Sequence, residues 1–182
     1  RANCRIDGIA LPCIEPERVE RKIGWQRVEP AQYELFPEQR GQRVDAVVLD
    51  GIRRMVDALP RSRANPQDVD ARRDCQIASW LCSYGLQSRV PMGASHAIGH
   101  VLGGTCGVPH YLCTPAMMPG ILEYNRPSSE EAQRLLAGAL GRPDLSAADA
   151  FREFVASIGL KTGLASVGVG PAQYDLIAKH TM

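Results

Sequence analysis

From about residue 44 to the C-terminus, apolar positions recur at three- and four-residue spacing. That is the period of a helix with one buried face. Val44, Val47, Val48, Ile52, Met55, Val56 and Leu59 make the first run, and Pro60 is expected to end it. Asn65-Pro66 predicts a cap followed by a first-turn proline, opening a second helix toward Ser88. Val69, Cys75, Ile77, Trp80, Leu81 and Tyr84 supply its apolar surface. A third helix carries Ala97, Ile98, Val101 and Leu102. Pro109 opens a fourth, with Met117, Ile121 and Leu122 facing inward. Ser128 and Glu131 have capping-box spacing for a helix running to about Leu140. Ser146 with Asp149 repeats that logic for a helix bearing Phe151, Phe154, Val155 and Ile158, closed by Gly159. Pro171 begins the last helix, with Tyr174 and Ile177. Successive helices with short connections predict an all-α bundle.

Residues 1–43 break the pattern. Prolines at positions 12, 16, 30 and 37 interrupt them and no period emerges, so an irregular or extended segment is expected there. The domain reading is therefore 1–43 as an atypical N-terminal segment and 44–182 as one helical unit. A chain of 182 residues buries an adequate core as a single domain.

Composition narrows the classes without choosing a function. The chain is 45% hydrophobic with a net charge of +1, which fits an ordinary globular protein and excludes disorder. Mixed charge signs give no basic footprint for nucleic acid. No stretch approaches the roughly 18 apolar residues of a membrane span. The start, Arg1-Ala2-Asn3-Cys4, lacks the apolar core of a secretory signal, so a cytoplasmic location is expected. It also lacks an initiating Met, which favours an incomplete chain. The six cysteines form no CxxC pair, and at this length a disulfide framework is not expected. Small core residues are the plain reading of Cys75 and Cys82. Cys106 and Cys113 flank a histidine and are the thiols to consider as ligands.

Chemistry concentrates in one Gly-rich stretch, Gly93 to Asn125. It holds His96, His100 and His110, three of the four histidines in the chain. His96 and His100 are four apart and share a helix face. His110 follows a Gly-rich loop that can turn the chain back. Neutral imidazole suits zinc and iron, so histidines presented from adjacent elements begin a metal site. The plain alternative is a pair of satisfied surface or core histidines. This is not HExxH, because Ala97 follows His96 and no glutamate base is built in. Gly93, Gly99, Gly103, Gly104 and Gly107 each cost about 1 kcal/mol inside a helix, so their density predicts close backbone approach to something.

The same stretch resembles the metal-binding signature of the iron-containing alcohol dehydrogenases, most closely their maleylacetate-reductase-like branch. The residues that carry the resemblance are His96, His100, Gly103-Gly104, Pro109-His110, Met118-Pro119 and Tyr124-Asn125. It extends from about Asp45 to the C-terminus. It implies the helical C-terminal half of a protein whose other half is a Rossmann-like NAD(P) domain. By resemblance, His96 and His110 are metal ligands for Fe2+ or Zn2+. His100 lies near nicotinamide and substrate in a catalytic, proton-relay role. The implied reaction is alcohol–carbonyl interconversion of a small molecule by hydride transfer, with a homodimer kept open as the assembly.

Two departures qualify what the resemblance implies. The family takes two further ligands from an Asp-x-x-x-His upstream, and no histidine precedes His96 here. Glu29 takes that histidine's place in one alignment, with Glu34 and Asp45 as the next carboxylates. Nor is there a GGGS phosphate loop or a GxGxxG. The chain by itself is therefore expected to show little dehydrogenase activity. The alternative reading is a non-catalytic helical fragment or degenerate relative without the nucleotide domain and two ligands. A lyase-type relative such as dehydroquinate synthase fits the histidine spacing less well.

Overall fold

The structure is a computed structural model, and it describes residues 4–6, 9–11, 37–88 and 93–181. The helices are α1 (Pro37–Ala64), α2 (Val69–Gln87), α3 (Ala94–Cys106), α4 (His110–Ala139), α5 (Ala147–Ser157) and α6 (Tyr174–Thr181). Short 3-10 turns at Leu164–Val167 and Pro171–Gln173 lead into α6. The all-α bundle expected from the periodicity is what forms over this span. Two short strands precede it, β1 (Cys4–Ile6) and β2 (Ile9–Leu11), paired antiparallel with Cys4 opposite Leu11 and Ile6 opposite Ile9. They add an extended piece to the segment expected to be irregular. β1 lies against α4 and β2 against α6.

Helix α1 starts at Pro37, ahead of the first periodic residue. Residues 37–43 hold no apolar side chain to mark a face, yet Glu, Gln and Arg are strong helix formers and proline favours the first turn. Contrary to the expectation from sequence, Pro60 does not end α1; the helix runs one turn further. Arg61 spans the proline, pairing with Asp57 at 2.9 Å and reaching Asp68 at 3.4 Å. The backbone N–H of Asn65 still finds the Arg61 carbonyl at 2.9 Å. The cap of α2 is also displaced. Asn65 Oδ1 accepts from the Gln67 N–H in a local turn, and Asp68 caps the helix by accepting from Ala71 N at 2.9 Å. That bond, then Arg61, holds the Asp68 carboxyl below the ordinary carboxylate range.

α1 and α2 form an antiparallel hairpin held by close backbone approach. A Cβ on Gly51 would meet Cys82 Sγ at 2.9 Å and the Ala78 carbonyl at 3.0 Å. α4 is the central element and touches α1, α3, α5 and the turn at Leu164–Val167. Its helical run is kinked at Ser129, where the backbone leaves the helical region with φ −141° and ψ 27°. The capping box expected at Ser128 does not form there. Ser128 Oγ instead donates back to the Asn125 carbonyl, while Glu131 pairs with Arg134 at 2.6 Å. Gln133 Nε2 bridges the break by donating to the Leu122 carbonyl at 2.8 Å. Ser146 caps α5 as expected, accepting from Asp149 N at 3.1 Å. Gly159 closes that helix at φ +68°, with the Arg63 guanidinium lying over it.

Two buried clusters result. One lies beneath α3 and includes Ile98, Leu102, Met117, Leu164 and Ile177. The other packs Leu122, Leu140 and the alanines of α5 against the partly buried Ile52 and Val56 of α1.

Candidate functional site

Helix α3 begins at Gly93, whose carbonyl accepts from the His96 N–H at 3.1 Å. Ile98 and Leu102 face the core and are almost fully buried, which turns His96 and His100 outward. The helix ends at Gly107 in the left-handed region, at φ +67°. The N–H groups of Gly107 and Val108 both return to the Leu102 carbonyl. Val108 is then buried and Pro109 caps α4, so His110 is the first residue of the next helix. The loop expected to reverse the chain does so through this αL glycine.

The glycines divide by role. Gly99 lets α4 approach: its Cβ would stand 3.5 Å from that of Cys113. Gly103 faces the Val108 carbonyl at 3.7 Å. Around Gly93, Gly104 and Gly107 the same test meets open space. Part of the expected close approach is thus helix against helix.

His96 and His100 are brought together. Their Nε2 atoms are 2.8 Å apart, with ring centroids at 4.4 Å and planes at 84°. A hydrogen bond between two like nitrogens needs one proton: one Nε2 donates and the other accepts. Both rings are exposed. His110 is exposed at the head of α4. Among the described residues, no group of three His, Cys, Asp or Glu side chains comes together to hold a metal ion. The chemistry of the pair explains part of this. If His96 donates, its Nε2 has no lone pair for a metal; if it accepts, that lone pair serves His100. An ion at His96 Nε2 must break the 2.8 Å link. As arranged, the described residues do not fit a metal site by themselves.

The other candidate ligands fall as follows. Cys113 is 2% exposed, and its thiol donates to the carbonyls of Val108 and Pro109 at 3.7 and 3.6 Å. Burial pushes that thiol up from its ordinary pKa, so it stays protonated and structural. Cys106 packs partly buried against the same cluster. Cys75 and Cys82 are half-buried with thiols likewise raised by burial, in line with their reading as small packing residues. Asp45 is exposed on α1. Glu29 and Glu34 lie outside the described residues. Sequence reasoning missed the direct His96–His100 contact, although spacing of four on one helix face was the signal available.

A sequence model of the Fe-containing alcohol dehydrogenase family, C-terminal, matches residues 37–182. The chain is similar to the maleylacetate reductase of a Pseudomonas species, at 33% identity over 92% of this chain and 47% of that protein. It is similar to maleylacetate reductase 1 of Cupriavidus pinatubonensis, at 33% identity over 75% of this chain and 38% of that protein. Among solved structures, maleylacetate reductase from a Rhizobium species superposes with a TM-score of 0.69 at 29% identity, covering 77% of this chain and 39% of that one. An iron-containing alcohol dehydrogenase from Corynebacterium glutamicum does so with a TM-score of 0.66 at 26% identity, covering 76% and 38%. The chain spans less than half the length of these relatives.

Proposed function

The chain belongs to the Fe-containing alcohol dehydrogenase family, and from that premise we propose that it is the metal-binding half of an NAD(P)-dependent reductase acting on a small carbonyl compound, in the manner of a maleylacetate reductase. The observation that carries this reading is the His96–His100 pair on α3, followed by His110 at the head of α4, within a fold matched to that family. Maleylacetate reductases supply the substrate class: they are similar over most of this chain. No helix among the described residues is long and apolar enough to cross a membrane. A cytoplasmic setting goes with the proposal.

Reduction of a polarised double bond consumes a hydride at one end and a proton at the other. A nicotinamide cofactor supplies the hydride. The proton is the part this chain's residues can handle. In the proposal His100 delivers it, and the 2.8 Å link between its Nε2 and that of His96 gives way when His96 takes up an ion. A positioned imidazole contributes about 10²–10⁴-fold to such a transfer. His96 and His110 enter as the two ligands this chain brings to a divalent ion, Fe2+ or Zn2+. Two imidazoles are too few for a fixed ion, so its other donors lie outside the described residues.

The test is reduction of maleylacetate with NADH or NADPH by the longest in-frame product containing this chain. Activity is expected there, with His100→Ala lowering kcat by at least about 10²-fold. Turnover of parent level in that variant refutes the relay role. The competing reading is a non-catalytic helical fragment. It predicts no turnover in any form of the protein.

A further inference from the structure

Gly99 of α3 and Cys113 of α4 mark where the two helices touch, with a Cβ on the glycine standing 3.5 Å from that of the cysteine. Residues 107–109 join the helices, which turn back on each other as a helical hairpin. Along a helix the next residue is rotated by about 100°, and the residue three before by about 60° in the same sense. Applied to Gly99, these rotations give His100 and His96. Applied to Cys113, they give Thr114 and His110. In an antiparallel pair they lead to the same side of the groove between the helices. Burial agrees. All four residues are exposed. Ile98 and Leu102 on α3 and Ala116 on α4 turn the other way and are buried. A single hydroxyl therefore joins three imidazoles along one side of the groove.

His96 and His100 hold each other at 2.8 Å, and His110 is assigned to the ion. Thr114 is left uncommitted. Threonine in a helix commonly returns its hydroxyl to the carbonyl four residues back. Among the described residues Thr114 Oγ1 makes no hydrogen bond, either to the His110 carbonyl or to another group. It offers one donor and two acceptor sites. We infer that Thr114 is a positioning residue, whose hydroxyl receives the His100 ring once His96 leaves the pair to bind an ion. The inference rests on the reading of His96 as a ligand and of His100 as the proton donor. An imidazole released onto an exposed helix face samples several rotamers. Held by Oγ1 at one ring nitrogen, it keeps the other N–H aimed for delivery. Valine at this position fills nearly the same space and neither donates nor accepts, whereas serine keeps the hydroxyl.

Two measurements test this. The first uses the 182-residue chain and is independent of turnover. His96→Ala frees the His100 ring. With that ring neutral, long-range nitrogen–proton NMR is expected to find it in one tautomer in His96→Ala. A mixture of both is expected in His96→Ala/Thr114→Val, and one again in His96→Ala/Thr114→Ser. Far-UV circular dichroism checks that each variant folds; should Thr114→Val unfold, Thr114→Ala makes the same comparison. His100 signals that do not respond to the change at Thr114 overturn the inference. The second measurement uses the longest in-frame product containing this chain, with maleylacetate and NADH or NADPH. Thr114→Val is expected to lower kcat roughly three- to tenfold at unchanged KM, the effect of one neutral hydrogen bond, and Thr114→Ser to restore it. A parent-level kcat in Thr114→Val beside an active parent overturns the positioning role alone. Absence of turnover in every form overturns the reductase reading, and the positioning role with it.

Discussion

His96 and His100 meet through the same ring atom, Nε2 to Nε2 at 2.8 Å, with their planes nearly perpendicular. Two neutral histidines of the same tautomer cannot do this. Either both nitrogens carry a proton and repel, or neither does and no bond forms. The pair must therefore be unlike, one ring protonated at Nε2 and the other bearing its lone pair there. Long-range nitrogen–proton NMR on the neutral chain is expected to show one Nε2–H and one Nδ1–H tautomer for these two residues. His100→Ala should release His96 from the constraint and shift its ring signals. Identical tautomers for both rings in the parent would rule the contact out.

Two glycines of the α1–α2 hairpin should respond to alanine with opposite sign. Alanine gains about 1 kcal/mol over glycine inside a helix. At Gly85 the new methyl meets only Val48 Cγ2, at 3.8 Å, an ordinary contact. Gly85→Ala is expected to stabilise by up to that amount. At Gly51 the methyl arrives within 2.9–3.0 Å of Cys82 Sγ, the Ala78 carbonyl and Leu81 Cβ. A backbone carbonyl does not rotate away, and overpacking costs about 1–3 kcal/mol. Gly51→Ala is expected to destabilise on balance. Urea midpoints at constant m-value separate the two cases, and a stabilised Gly51→Ala would show that the helices part more readily than their packing implies.

The cap of α5 links stability to acid. Ser146 accepts the Asp149 N–H and donates its hydroxyl to Asp149 Oδ2 at 2.7 Å. That bond, then Arg152, holds the Asp149 carboxyl below its ordinary value of 3.8. A carboxyl depressed in the folded state stabilises the fold above the unfolded pKa. That contribution is lost as pH falls through the folded value, so the window lies below about pH 4. Melting curves of parent and Asp149→Asn are expected to differ at neutral pH and converge in acid. Ser146→Ala should cost about 1 kcal/mol, or about 2–4 °C in Tm for a domain of this size. Equal melting of parent and Asp149→Asn at every pH would remove Asp149 from the account.

The caps of α2 and α5 differ in how readable they are from sequence. Ser146 with Asp149 was legible because the motif sits alone between a turn and an apolar run. At Asn65-Pro66-Gln67-Asp68 two capping residues lie three apart, and local preference cannot choose between them. Tertiary pairing of Arg61 with Asp68 accompanies the later choice. Pro60 was misleading for a related reason. Its missing N–H forfeits one helical bond, but packing against α2 and the Arg61 pairs retain the turn. Residues 37–43 were silent because an all-polar helix has no hydrophobic period to detect. At the site, spacing placed His96 and His100 on one face. Spacing gave no information on whether the two rings would bind each other.

That mutual binding yields a last prediction, on metal. His96 Nε2 is engaged by His100, and among the described residues no third donor joins them. An ion entering at His96 Nε2 must first break the histidine pair, then hold with too few ligands for a fixed site. The chain is therefore expected to keep little iron or zinc after dialysis against plain buffer. Added Zn2+ should move the His96 and His100 ring signals only at high concentration, and should leave Tm nearly unchanged at the ligand excess that stabilises a true site by about 3–4 kcal/mol. Metal analysis beside a zinc titration of parent and His96→Ala decides the matter. Near-stoichiometric metal that survives dialysis in the parent and is lost in His96→Ala would mean that this chain completes the site itself, with donors from residues 12–36. Glu29 and Glu34 would then be the carboxylates to replace first.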